Sequence, residues 1–180
     1  MNIYHHYLDI PVKFYPVFLE PNFEHHNLYD LSLLSPDFIK WFNQLGIAIL
    51  FGELFTRHLG QEKIPIHIDK YSDSEHVKIN YVYCDGDQLM GWYKLKPGKE
   101  IHIGKTILGT EYAWADDDDC EEIYSAAVGK PSLINASILH TAPVMTASWR
   151  CFSFSIGYLD PSKEKLSWND AVKILKDYIK

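Results

Sequence analysis

The chain has 180 residues, of which 47% are hydrophobic and 14% aromatic, enough apolar material for one sizeable core. Its 24 acidic and 17 basic residues give a formal net charge of −7, which argues against a broad attraction to nucleic acid or anionic membranes. Three cysteines without a CxxC spacing match neither a disulfide framework nor a thiolate zinc site. The chain shows neither a signal-peptide pattern nor a membrane-length apolar run. We expect one domain over residues 1–180, in the cytoplasm, with small-molecule or peptide partners.

The segment from Met1 to about Asn27 is predicted to be irregular, with one possible edge strand, because prolines interrupt its short apolar runs. A short helix follows. Ser35 is a suitable N-cap, Pro36 suits the first helical turn, and Gly46 ends the helix. A second helix is predicted at the other end of the chain, where Ser167 and Asp170 form a capping pattern.

Between these helices the chain offers many short strands. The run GIAILFGELFTR reads as a buried strand with Gly52 as a possible bulge. Further candidates are IPIHID, VKINYVYC, QLMGWYKL, EIHIGKT, PSLINASIL and WRCFSFSIGY, separated by turn residues. This succession predicts a mainly β fold, a double-stranded β-helix of the jelly-roll or cupin-like type. Its barrel core would cover about residues 47–160, with helical or irregular flanks at 1–46 and 161–180.

Three residues form a candidate metal site. His67 and Asp69 are two residues apart, so on a strand both side chains point to one face. His140 ends a later apolar strand, which in a jelly roll can return beside the first. Two imidazoles and one carboxylate form the facial triad of non-haem Fe(II) oxygenases.

Arg150 is a second candidate site residue. Alternation places it on one strand face with Phe152, Phe154 and Ile156, which we interpret as the core side. A guanidinium on an inward face requires a partner, and a carboxylate bound bidentately is one. A structural ion pair of Arg150 with Asp69 or Glu53 is the alternative.

The spacing of these residues resembles the 2-oxoglutarate/Fe(II)-dependent dioxygenase superfamily. His67-x-Asp69, then His140, then Arg150 ten residues later follow its pattern over roughly residues 64–158. The stretches IHID, KINYVYCDGDQLMGWY and PSLINASILHTAP resemble a group of its small members. The resemblance implies that His67, Asp69 and His140 bind Fe(II), that Arg150 anchors the distal carboxylate of 2-oxoglutarate, and that Asn80 contacts this cosubstrate.

The chain departs from the family pattern at one position and leaves other functions open. Many members have Arg-x-Ser, whereas Phe152 stands at the serine position here, so Asn80, Tyr81 or Tyr83 would have to supply that hydrogen bond. The expected activity is oxidation of an unidentified substrate with O₂ and decarboxylation of 2-oxoglutarate to succinate. A non-catalytic metal- or ligand-binding jelly roll is the alternative, and a zinc hydrolase is disfavoured because no general base is apparent.

Overall fold

The computed structural model describes residues 2–17, 26–58, 64–69, 76–84, 89–105, 111–142, 149–163 and 165–180. These residues form β-strands, two α-helices and three short 3₁₀ turns. The strands are β1 His5–Tyr7, β2 His26–Tyr29, β3 Ile47–Arg57, β4 Ile66–Ile68, β5 Val77–Cys84, β6 Leu89–Leu95, β7 His102–Lys105, β8 Glu111–Ala115, β9 Cys120–Ala127, β10 Ser132–Asn135, β11 His140–Thr141 and β12 Trp149–Tyr158. The helices are α1 Pro36–Gln44 and α2 Trp168–Leu175, and the 3₁₀ turns are Leu31–Leu33, Asp117–Asp119 and Lys176–Tyr178.

The strands form two antiparallel sheets of six. The first sheet has the order β1-β10-β5-β12-β3-β2, and the second has the order β7-β8-β4-β11-β6-β9. The chain is therefore mainly β, as predicted, with the architecture of a β-sandwich. Neither α-helix of the described residues is long and apolar enough to cross a membrane.

Local signals predict both helices correctly. Ser35 caps α1 by accepting a hydrogen bond from the Phe38 backbone N–H, and Gly46 follows the helix with a φ of 73°. Ser167 caps α2 in the same way by accepting from the Asp170 N–H. The flank before residue 47 differs from the prediction, because both β1 and β2 pair at the edges of the first sheet.

The predicted bulge at Gly52 is wrong. Gly52 has regular partners on both neighbouring strands, Phe154 on β12 and Tyr29 on β2. The bulge lies two residues earlier, at Leu50, which has no register partner on β12. A Cβ at position 52 would lie 3.1 Å from the Phe154 ring. The glycine therefore allows an aromatic ring to lie against the β3 backbone.

The central part of the first sheet, around β12, is buried on both faces. Its outer face carries Phe152, Phe154 and Ile156, which pack with residues of α1 and α2 into the main hydrophobic cluster. Its inner face points toward the second sheet and carries polar groups, among them Lys78, Ser153 and Ser155. The candidate site lies between the two sheets, against this inner face.

Candidate metal centre

The second sheet brings the two predicted histidine ligands together. His67 in β4 and His140 in β11 are register partners across an antiparallel strand pair, so their side chains share one face. Their ring centroids are 4.7 Å apart. Asp69 follows directly after β4 and lies two residues beyond His67, which returns its carboxylate to that face. The predicted juxtaposition of these three residues is confirmed.

The donor atoms of the three side chains converge. Asp69 Oδ1 lies 3.0 Å from His67 Nε2 and 3.6 Å from His140 Nε2. Nitrogen and carboxylate ligands bind a transition metal at about 2.0–2.2 Å, so ligand atoms at right angles around one ion are about 3 Å apart. The observed separations fit a single shared cation.

The tautomers of both histidines leave Nε2 as the ligand atom. His67 Nδ1 lies 2.8 Å from the carbonyl oxygen of Pro65, and His140 Nδ1 lies 2.8 Å from that of Ile138. Because a carbonyl oxygen only accepts hydrogen bonds, each Nδ1 carries the proton. In the neutral imidazoles, two Nε2 lone pairs then face the Asp69 carboxylate, an arrangement that a metal cation between them would stabilise.

A buried lysine holds the other oxygen of the aspartate. Lys78 Nζ lies 2.7 Å from Asp69 Oδ2 and 2.6 Å from Glu53 Oε2, and Glu53 Oε1 lies 2.9 Å from His26 Nε2. Lys78 is 3% exposed and Glu53 is 6% exposed. Because Lys78 binds Asp69 Oδ2, only Asp69 Oδ1 faces the two histidines, which favours monodentate binding of a metal by this carboxylate.

The same network controls ionisation at the site. Burial by itself would raise the pKa of Asp69, but the Lys78 ammonium holds that pKa well below its usual range. Burial would likewise lower the pKa of Lys78, but the Asp69 and Glu53 carboxylates raise it. Asp69 is therefore a carboxylate and Lys78 an ammonium at neutral pH, as a ligand and its supporting cation need to be.

The triad borders a small cavity between the sheets, with a volume of about 60 Å³. Asn80 lines this cavity, and its amide oxygen accepts a hydrogen bond of 2.7 Å from the Ser153 hydroxyl. Cys151 also lines it, and burial raises the pKa of its thiol to about 12. The apolar part of the lining consists of Phe55, Ile64, Val82, Met90, Val128, Ala142 and Trp149.

Arg150 does not line this cavity. Its strand neighbours Trp149 and Cys151 do, whereas Phe152 and Phe154 enter the cluster on the outer face. The predicted grouping of Arg150 with Phe152 and Phe154 agrees with this alternation, but the shared face is turned away from the triad. The geometry therefore lends no support to Arg150 as the cosubstrate anchor, and that role stays a prediction.

The residues suggested as replacements for the serine of Arg-x-Ser lie on different faces of the first sheet. Asn80 lies at the cavity, as the resemblance implies. Tyr81 belongs to the outer cluster, and Tyr83 lies on the same strand face two residues later. Ser153, which was not predicted, supplies a hydroxyl at the cavity from the position after Phe152.

Comparisons with protein-family models, curated proteins and solved structures find no match to this chain. The candidate centre is therefore supported by its own geometry. The family resemblance depends on the motif spacing and on the similar sequence stretches around it.

Sequence reasoning missed Lys78, although it weighed a buried ion pair of Asp69 or Glu53 with Arg150. The ion pair exists, but its cation is Lys78. A signal was present, because Lys78 stands in the otherwise apolar start of VKINYVYC and Glu53 stands within the apolar run of β3. Two opposite charges on neighbouring buried strands predict a pair, since either charge alone would be costly to bury.

Proposed function

We propose that this protein is an Fe(II)-dependent oxygenase that uses O₂ and 2-oxoglutarate to oxidise a small-molecule or peptide substrate. The observation that carries the proposal is the convergence of two Nε2 atoms and one carboxylate oxygen on one point between the sheets. This ligand set, with coordination positions left open, is typical of non-haem Fe(II) oxygenases. The 2-oxoglutarate part of the proposal depends on the family resemblance.

The strand order supports a jelly-roll interpretation of the sandwich. Of the strands between residues 47 and 160, β3, β5, β10 and β12 lie in the first sheet, and β4, β6, β7, β8, β9 and β11 lie in the second. The chain thus crosses repeatedly between the sheets, as in a double-stranded β-helix. In this arrangement, β4 and β11 become neighbours although they are far apart in sequence.

The residues of the chain have distinct roles in the proposed activity. His67, Asp69 and His140 would hold the metal, which supplies the O₂ and redox chemistry when bound. Lys78 orients the Asp69 carboxylate through its Oδ2 atom. The apolar cavity lining excludes water from the reacting groups. Asn80 is the residue at the cavity that would contact the cosubstrate.

Two observations favour a second candidate, a metal-binding sandwich without catalytic activity. The cavity beside the triad has a volume of about 60 Å³, below the roughly 300 Å³ at which small-molecule sites begin. Arg150 also lies outside that cavity. A protein of this kind would bind Fe(II) at the same three residues but would not bind 2-oxoglutarate.

An anaerobic titration with Fe(II), followed by 2-oxoglutarate, distinguishes the two candidates. The wild-type protein is expected to bind one Fe(II) ion, and 2-oxoglutarate should then produce the weak visible absorption band of a 2-oxo acid chelate. Iron binding without this band would favour the non-catalytic candidate. Succinate formation in the presence of O₂ and ascorbate would support the oxygenase.

Matched variants test the residue assignments. His140→Ala should abolish iron binding, whereas His102→Ala changes a half-exposed histidine outside the triad and should leave it intact. Unchanged iron stoichiometry in His140→Ala would refute the triad. For Arg150→Ala we expect retained iron, and normal 2-oxoglutarate affinity in this variant would remove Arg150 from the cosubstrate site.

A further inference from the structure

A second and larger concave feature lies where three central strands of the first sheet end. It is a cleft of about 940 Å³, formed by the ends of β3 and β5, the start of β12, the N-terminal segment around Phe14, and the turn at Gly129–Pro131. Val82 and Trp149 line both this cleft and the triad cavity. The metal ligands His67, Asp69 and His140 are not among the residues that line the cleft. The volume lies within the range typical of small-molecule sites.

The cleft is basic in a chain that is acidic overall. Both arginines of the sequence, Arg57 and Arg150, line it, together with Lys13 and Lys130. None of the described residues that line it is acidic. The chain as a whole has a net charge of −7, so this local excess of cations runs against the general composition. A concave surface lined by one sign of charge concentrates ligands of the opposite sign.

Buried hydrogen-bond donors without partners also gather at the cleft. Within the described residues, Arg57 Nε, Tyr81 Oη and Trp149 Nε1 are buried and have no hydrogen-bond partner. All three residues line the cleft, and Tyr81 and Trp149 are each only 6% exposed. A buried donor without a partner destabilises the folded protein by about 1–3 kcal/mol. Because these donors are buried, a ligand rich in acceptor oxygens can satisfy them only if the side chains of the cleft wall move to admit it.

Exposed aromatic side chains lie among the cations. Tyr15 is 68% exposed and Tyr83 is 37% exposed, and both line the cleft. Large exposed rings beside arginines and lysines suit a ligand with both a planar body and a charged group, because the rings can stack on the planar part. Arginine in particular suits the bidentate recognition of phosphate oxygens.

We propose that this cleft binds a nucleoside phosphate, with its phosphate groups on Arg57 and Arg150 and its ring against the exposed tyrosines. The several cations of the cleft favour a ligand with more than one negative charge. Binding does not require the metal, so this site can be tested independently of the proposed oxygenase activity.

Isothermal titration calorimetry of the metal-free, full-length protein with ADP tests the proposal. Pyrophosphate and adenosine serve as probes of the phosphate and the ring separately. We expect saturable one-to-one binding of ADP, weaker binding of pyrophosphate, and adenosine weaker still. Absence of ADP binding would overturn the proposal, and equal affinities for ADP and pyrophosphate would overturn the assignment of the ring to the tyrosines.

Variants assign the binding to the cleft. Arg57→Gln and Arg150→Gln should each weaken ADP binding by about tenfold, since each removes a charge-assisted contact. Lys94→Gln removes an exposed lysine outside the cleft and should leave the affinity unchanged.

Tyr81→Phe keeps the buried ring and removes only its unpaired hydroxyl, so it should fold normally and still bind ADP more weakly. It therefore tests the cleft even if an arginine variant fails to fold. If the folded variants among these bind ADP as the wild type does, the assignment of the ligand to this cleft is refuted.

Discussion

The two faces of the first sheet are both buried around β12, yet they carry different kinds of side chain. On the outer face, the Phe152 and Phe154 rings lie 5.1 Å and 5.3 Å from the ring of Phe14. On the inner face, Ser153 hydrogen-bonds to Asn80, and Lys78 pairs with two carboxylates. Strand β12 contributes alternate residues to both faces. One strand therefore contributes to stability on one side and to the candidate site on the other, and substitutions can separate the two.

The largest effect on stability is expected on the outer face. Phe154→Ala should lower the free energy of unfolding by about 3–5 kcal/mol, because it removes a fully buried ring and leaves a cavity. Urea denaturation measures this loss, with Leu159→Ala at a 45% exposed position as the control. Iron affinity of the folded variant should not change. A loss below about 1 kcal/mol would contradict the assignment of Phe154 to the main core.

On the inner face, the largest effect should come from the charge network. Lys78→Met should destabilise the metal-free protein by about 3 kcal/mol, because Asp69 and Glu53 lose their shared cation while still buried. Adding Glu53→Gln to this variant should recover part of the loss, since one uncompensated carboxylate is removed. A double variant no more stable than Lys78→Met would show that the pair with Glu53 contributes little.

Metal addition should stabilise the protein through the inner face alone. With free Fe(II) at about 100 times its Kd, the gain is about 2.7 kcal/mol, read as a rise in Tm under anaerobic conditions. Phe154→Ala should show the same gain, because its substitution lies on the other face of the sheet. His140→Ala should show none. A gain in His140→Ala would mean that the metal binds elsewhere.

The smallest effect is expected for a single hydrogen bond at the cavity. Ser153→Ala removes the hydroxyl that donates to Asn80 and should cost about 1 kcal/mol of stability. Ser162→Ala removes an exposed hydrogen bond to Asp160 and should change stability by less than about 0.5 kcal/mol. Equal effects of the two substitutions would argue against the importance of burial at Ser153.

Elements with strong local signals were predictable from the sequence. The caps at Ser35 and Ser167 each involve a partner only three residues later, so the local sequence is enough to predict them. The bounds of β5 and β12 coincide with the predicted apolar runs. Strand β9 was not predicted, because most of its side chains are exposed and it lacks an apolar pattern. Strand β11 has two residues and is defined only by its neighbours, β4 and β6.

The candidate site was predictable only in part. The common face of His67 and Asp69 follows from strand alternation, and His140 follows from the resemblance in spacing. The alternation of Arg150 with Phe152 and the assignment of their face to the core were also correct, but that face is not the one that borders the triad. Most of β12 is buried on both sides. Because neither face of this part is exposed to solvent, the composition of the strand does not show which face lies at the candidate site and which lies in the aromatic core.

The sequence by itself determined the mainly β class, both capped helices and the spacing of the three candidate ligands, because these depend on neighbouring residues and on the periods of strands and helices. Only the tertiary structure decided that β11 pairs with β4, that Lys78 bridges Asp69 and Glu53, and that both arginines meet in one cleft. These contacts join residues far apart in the chain. They depend on which sheet each strand enters and which face it buries, and those choices are made by the packing of the whole sandwich.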